Sequence, residues 1–146
     1  MVRKGMNYTE NNRGSIQIRD RARQIIDFSG IRFGNITPTD IDGIIDYHDT
    51  AFVLIEMKLV GAEMPYGQRL CIERLVNAIA ATGRDACALL CRHNVQDTEQ
   101  DVKAANAMVE AVYWKKSWHA PIRQMTAKEM IDSFLRFTRN LRTEAL

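Results

Sequence analysis

The run Ala51–Leu59, AFVLIEMKL, constrains this chain more than any other segment. It is rich in β-branched and aromatic residues, so it reads as a strand. Its FVLI stretch leaves no polar position for solvent, so both faces must be covered and the strand must be central in its sheet. Just upstream, Ile41–Tyr47 alternates in character. Asp42, Ile44 and Asp46 fall on one face, and Ile41, Gly43, Ile45 and Tyr47 on the other. His48-Asp49-Thr50 has turn chemistry. The two segments therefore form a β-hairpin, and a turn centred near residue 49 sets Asp42 opposite about Glu56.

Around that hairpin the period is helical. Ser15 reads as an N-cap, and Ile16–Phe28 places Ile18, Ala22, Ile25, Ile26 and Ser29 on one side, with Gly30 as its stop. Residues 1–14 carry little apolar content and are expected to be a mobile arm. Arg32–Ile36 is expected to add a short strand. After Pro65 and Gly67, Gln68–Ala81 reads as a helix with Ile72, Leu75, Val76 and Ile79 inward and Gly83 as its cap. Ala86–Arg92 is a further strand, residues 94–106 a loop or short irregular helix, and Met108–Trp114 another strand. Thr126–Asn140 closes the chain as a helix, with Thr126 and Glu129 forming a capping box and Met130, Phe134 and Phe137 its apolar side. The expected fold is α/β, a mixed central sheet flanked by helices, in one domain over residues 15–146.

A chain of 146 residues, 46% hydrophobic and 26% charged, suits one globular domain. Disordered, collagen-like and rod-like coiled-coil classes are excluded. No apolar run is long enough to span a bilayer. The N-terminal MVRKGMNYTENN has no apolar segment of the secretory kind. Cys71, Cys87 and Cys91 are an odd count, read as reduced thiols of a cytoplasmic protein. Charge is unevenly distributed. Residues 1–32 carry seven Lys/Arg against three acids, residues 33–67 only Lys58 against six acids, and residues 101–146 eight basic residues against five acids. An acidic centre between basic arms suits a cation site that works on a polyanion.

Glu56 and Lys58, two apart on a strand, leave the same face of the sheet. Two acids and a lysine at the end of a buried strand are costly to desolvate unless a divalent cation is held there. Mg²⁺ takes hard oxygen ligands, usually one or two carboxylates with waters retained. A lysine beside such an ion can orient a water for attack on a phosphodiester. The competing reading is a structural salt bridge between Lys58 and one acid.

Asp42, a hairpin, Glu56-Met57-Lys58 and then a helix bearing Gln68 together resemble the PD-(D/E)XK nuclease superfamily. The likeness is to its small single-domain members, such as Holliday-junction resolvases and phage-encoded nuclease-like proteins, and covers Ile16 to Arg92. It implies a restriction-endonuclease-like αβββαβ core and hydrolysis of DNA through a Mg²⁺-bound water. Asp42 and Glu56 would ligate Mg²⁺ or Mn²⁺, with the Met57 carbonyl as a further ligand. Lys58 would position or activate the attacking water, and Gln68 would lie over the ion. Members often have an acid on the first helix as well; Asp20 or Asp27 could serve, the competing reading being a solvated helix face. The sequence departs from the pattern in having no Pro-Asp pair: Pro38 is followed by Thr39 and Asp40. Asp40 thus rivals Asp42, which directly precedes the apolar Gly43-Ile44-Ile45.

Tyr113–Arg123 interleaves aromatic and basic residues, as a nucleic-acid surface does, or else buries Trp114 or Trp118 with the lysines outward. Arg19, Arg23, Arg69, Lys115 and Lys116 are the expected phosphate contacts, Arg69 above all because it adjoins Gln68. His48 reads as an exposed turn residue; His93 ends a strand next to Asn94, where a structural role is weighed against a contact near the substrate. The three cysteines read as core residues, not as zinc ligands. DNA is favoured over RNA as partner, and a domain this small is expected to pair as a homodimer. The alternative function is a catalytically silent nuclease fold that binds nucleic acid or assembles with a partner.

Overall fold

The computed structural model describes residues 19–144, so the expected arm at 1–14 and the Ser15 cap lie outside the described residues. The elements are α1 (Arg19–Ala22), β1 (Gly43–Tyr47), β2 (Ala51–Leu59), α2 (Tyr66–Ala80), β3 (Asp85–His93), a 3-10 turn (Ala104–Asn106), β4 (Met108–Trp114), β5 (Ser117–His119) and α3 (Ala127–Glu144). The fold is α/β, a five-stranded mixed sheet in the order β1-β2-β3-β4-β5. The expected single domain divides into two compact units between Pro38 and Thr39.

In the first unit the expected helix to Phe28 ends at Ala22. Local chemistry explains the stop. Arg23 N–H and Gln24 N–H bond only three residues back, and the Asp27 carboxylate takes the Ser29 N–H at 2.9 Å, which offers the backbone a turn instead of a helix. That bond also holds the Asp27 carboxyl below its usual range. The strand expected at Arg32–Ile36 is reduced to one isolated bridge, Phe33 to Ile36, closed around Gly34 in the left-handed region. Two strands therefore precede α2 in the sheet.

The second unit follows the hairpin. β1 pairs antiparallel with β2 in the register Gly43↔Ile55 to Tyr47↔Ala51. The turn holds His48 and Asp49 at φ 53° and 58°, the double left-handed conformation that matches strand twist in tight hairpins. Asp46 Oδ1 accepts the Asp49 N–H at 2.8 Å and fixes it. β2 is central, as its composition requires, and runs parallel to β3 through the α2 crossover. β3, β4 and β5 continue antiparallel. The register slips between Leu90 and Cys91, where Glu110 of β4 is left without a partner, a β-bulge.

Each face of the sheet builds its own core. On one, Leu54, Ala86, Ala88 and Tyr113 pack with Ile72 and Val76 of α2. On the other, Val53, Cys87, Leu89 and Cys91 pack with Met130, Ile131, Phe134 and Leu135 of α3. Two expected core positions turn outward, Leu75 and Phe137. On α3 the reason is Thr138: it takes the buried position one turn after Phe134 and donates its hydroxyl to Leu135 O at 3.2 Å. Gly83, at φ 90°, ends the α2 connection where a side chain would be strained. β5 was not expected from sequence. It exists because Lys115 and Lys116 form a tight hairpin turn, at φ 49° and 66°.

The α3 capping box forms as expected. Thr126 Oγ1 accepts the Glu129 N–H at 3.2 Å, and Glu129 Oε1 accepts the Thr126 N–H at 3.2 Å. Thr126→Ala should destabilise the fold by about 1 kcal/mol in urea denaturation. The Thr126 backbone and hydroxyl bonds, with Arg123, hold the Glu129 carboxyl below its ordinary 4.5. Its contribution is therefore present above that value and lost as the pH falls through the lower folded value; Glu129→Gln should flatten this acid limb. The three thiols are free. Burial raises the Cys87 thiol pKa and pushes Cys91 up to about 12, whereas Cys71 is half-buried on α2. A thiol-reactive dye should label Cys71 first, and Cys87 and Cys91 only on unfolding.

Candidate active site

The candidate site lies within the second unit, where the C-terminal end of β2 meets the first turn of α2. Glu56 and Lys58 leave the α2 face together, as the two-residue period requires. Glu56 is 4% exposed, and the Lys58 side chain 19%. One step beyond the last paired residues, Gly43↔Ile55, Asp42 stands across from Glu56, the offset expected from the turn.

Asp42 does more than face Glu56. The strand ladder stops at Gly43, and Asp42 Oδ2 accepts the Met57 N–H at 2.7 Å in place of a backbone carbonyl. In a strand, the N–H and C=O of one residue point to the same edge, so the Met57 carbonyl also turns toward the Asp42 side. Asp40, the rival, contributes its main chain: its carbonyl accepts from Gln68 Nε2 at 3.1 Å.

Gln68 is the polar member of an otherwise apolar stripe. Gln68, Ile72 and Val76 are spaced four apart and are the buried residues of α2. A glutamine 7% exposed must find partners, and its amide group donates to both Asp40 O and Glu56 Oε1, the latter at 2.9 Å. Both partners are acceptors, so the amide orientation is fixed. Glu56 Oε1 also accepts from Lys58 Nζ at 2.8 Å.

The result is lopsided. Two donors converge on Glu56 Oε1, while Glu56 Oε2 and Gln68 Oε1 are buried with no hydrogen-bond partner. Leaving a buried acceptor unpaired costs about 1–3 kcal/mol, and more when it is charged. Two orphaned hard oxygens, with the Asp42 carboxylate and the Met57 carbonyl alongside, fit a small divalent cation that keeps several waters. Among the described residues there is no group of three His, Cys, Asp or Glu placed to hold a metal, so the fit rests on carboxylates supplemented by neutral oxygens.

Arg92 and Glu110 were not singled out from sequence. Arg92 pairs with Lys58 in the parallel register, binds Glu110 at 2.8 Å, and donates to the carbonyls of Leu59 and Ala62. It thereby ties down the chain between Lys58 and Gln68. The available signal was an arginine directly after the continuous apolar run Ala86–Cys91. His93 ends β3 beside Leu59, and its Nδ1 accepts the Val95 N–H at 3.2 Å, which organises the loop that follows.

Arg69 adjoins Gln68 but its guanidinium bonds Glu73 at 3.2 Å. Lys115 and Lys116 are exposed at the β4–β5 turn. Trp114 packs edge-on against Phe134, and Trp118 donates to Glu73 Oε1 at 2.7 Å beside Tyr113, so both rings are held by the fold. Arg23, Asp20 and Asp27 belong to the first unit, and the Arg19 side chain lies outside the described residues. No helix among the described residues is long and apolar enough to cross a membrane. Comparison with family models, with curated proteins and with solved structures returns no match.

Proposed function

We propose that this chain is a metal-dependent nuclease of the PD-(D/E)XK kind, hydrolysing phosphodiester bonds of DNA with Mg²⁺ or Mn²⁺. One observation carries the reading: Glu56 Oε2 is buried and unpartnered while Lys58 and Gln68 both hold Oε1. A purely structural ion pair gains nothing from leaving that oxygen bare. Asp42, Glu56 and the Met57 carbonyl would hold the ion, with Gln68 Oε1 the nearest further oxygen donor. When bound, the ion supplies Lewis-acid polarisation of the phosphoryl oxygen and eases ionisation of water.

The side chains then divide the work. Lys58 presents three donors from a half-buried stem, suited to orienting the attacking water and to meeting the charge that grows on the phosphoryl oxygens. Gln68 holds Glu56 in one rotamer through a buried amide bond. Asp42, anchored on Met57 N–H, has a fixed carboxylate before any substrate arrives. The reading includes a cytoplasmic homodimer, because one small domain offers limited surface to a duplex. The second reading is a silent nuclease-like binding module. It is favoured by the absence, among the described residues, of a three-ligand cluster.

Two measurements separate them. Purified protein with Mn²⁺ should cleave linear, single-stranded or branched DNA. Glu56→Gln and Lys58→Ala should each lower the rate by roughly 10²–10³-fold, and Gln68→Ala by about 10–100-fold, with the fold retained by circular dichroism. Cleavage that survives both of the first two changes discards the nuclease. Independently of activity, Mn²⁺ at one hundred times its Kd should stabilise the fold by about 2.7 kcal/mol. Glu56→Gln should remove that gain; a silent module shows no gain at all.

A further inference from the structure

The opposite end of the sheet carries a second constellation. Both hairpin turns lie there, because β1 and β4 end where β2 and β3 begin. Ala51 is five residues before Glu56 along β2, so this end is about 16 Å from the candidate site. Two clefts open on it. One, of about 470 Å³, lies on the α3 side between Tyr47 and the Arg136, Arg139 and Asn140 side of the helix. The other, of about 400 Å³, lies between the end of α2 and the Lys115-Lys116 turn. The N-terminal ends of β2 and β3 join them: Asp85 N–H bonds Thr50 O, and Arg142 bridges Thr50 O and the Asp85 carboxylate.

The acids at this end are already neutralised or engaged. Asp49 is clamped by Arg84, which holds its carboxyl below the usual range, Asp85 by Arg142, and Asp132 by Lys128. Asp46 caps the hairpin turn. Arg136, Arg139, Lys115 and Lys116 have no salt bridge among the described residues, although Lys115 lies 5.4 Å over the Trp114 ring. The two lysines also occupy consecutive left-handed positions, where asparagine and glycine are the unstrained choice.

We propose that this sheet end is a phosphodiester-binding surface, remote from the candidate site, on which a nucleic-acid backbone runs from the Lys115-Lys116 turn to Arg136 and Arg139. Strand spacing separates the β1 and β4 ends by roughly 14 Å within the sheet, and the clefts open on its opposite faces, so a backbone that reaches both crosses the end of the sheet. The surface goes beyond the nuclease reading and does not depend on it.

Fluorescence anisotropy of the full chain in EDTA tests it without any cleavage, using a labelled single-stranded DNA and its duplex. Arg136→Ala with Arg139→Ala, and Lys115→Asn with Lys116→Gly, should each weaken binding. On the single strand each pair should flatten the dependence of log affinity on log salt by roughly 1.4. Whichever probe responds identifies the source of the backbone. The second pair has a signature that a structural role cannot give: relief of strain should raise the melting temperature while affinity falls. No cleavage or metal binding enters a measurement made in EDTA, so failure of the nuclease and failure of this surface are distinguishable. Affinity and salt slope unchanged on both probes in the four-residue variant would overturn the proposal.

Discussion

The site geometry depends on how one buried carboxylate is held. Glu56 sits at the end of the most apolar strand of the chain, where a bare charge would not survive. Lys58 from the same strand and Gln68 from the crossover helix meet it on a single oxygen. That arrangement couples the sheet to α2 at the point where β2 ends, and it leaves the second oxygen turned away from every protein donor. The Asp42–Met57 bond acts beside it and closes β1 onto β2 past the last paired residues. Removing Glu56 would therefore loosen a helix start as well as a charge, which is why a conservative amide replacement is the more informative change.

The topology accounts for where these groups converge. A hairpin followed by a parallel crossover brings the start of β1, the end of β2 and the start of α2 to one end of the sheet. Both faces are insulated, by α2 on one and α3 on the other, so the charged set is exposed only at that end. Arg92 stabilises the connection by holding backbone carbonyls of the segment that leads from Lys58 to Gln68. At the far end, by contrast, the acids are paired with arginine or lysine or cap the turn, and four cations carry no salt bridge among the described residues.

The sheet and its helices were legible because their signals are local and periodic. The FVLI run, the alternation in Ile41–Tyr47 and the turn at His48-Asp49-Thr50 together fixed the register that sets Asp42 across from Glu56. Gln68 entered only through the family resemblance; its register with Ile72 and Val76 is the physical reason it is buried. Three features were not legible. The first helix ends early because Asp27 offers Ser29 N–H a competing bond, which a face-counting argument ignores. β5 depends on two lysines adopting a conformation their side chains disfavour. The Arg92–Glu110 clamp joins residues eighteen apart, which no short motif encodes.

The unpaired Glu110 has a consequence for β4 itself. Val109 and Tyr113 are four positions apart, and in an uninterrupted strand they would look the same way. Here Val109 joins the α3 core and Tyr113 the α2 core. A single surplus residue thus inverts the parity of the strand midway. One short segment nourishes two hydrophobic interiors, and a carboxylate is ejected at the inversion point to grip Arg92.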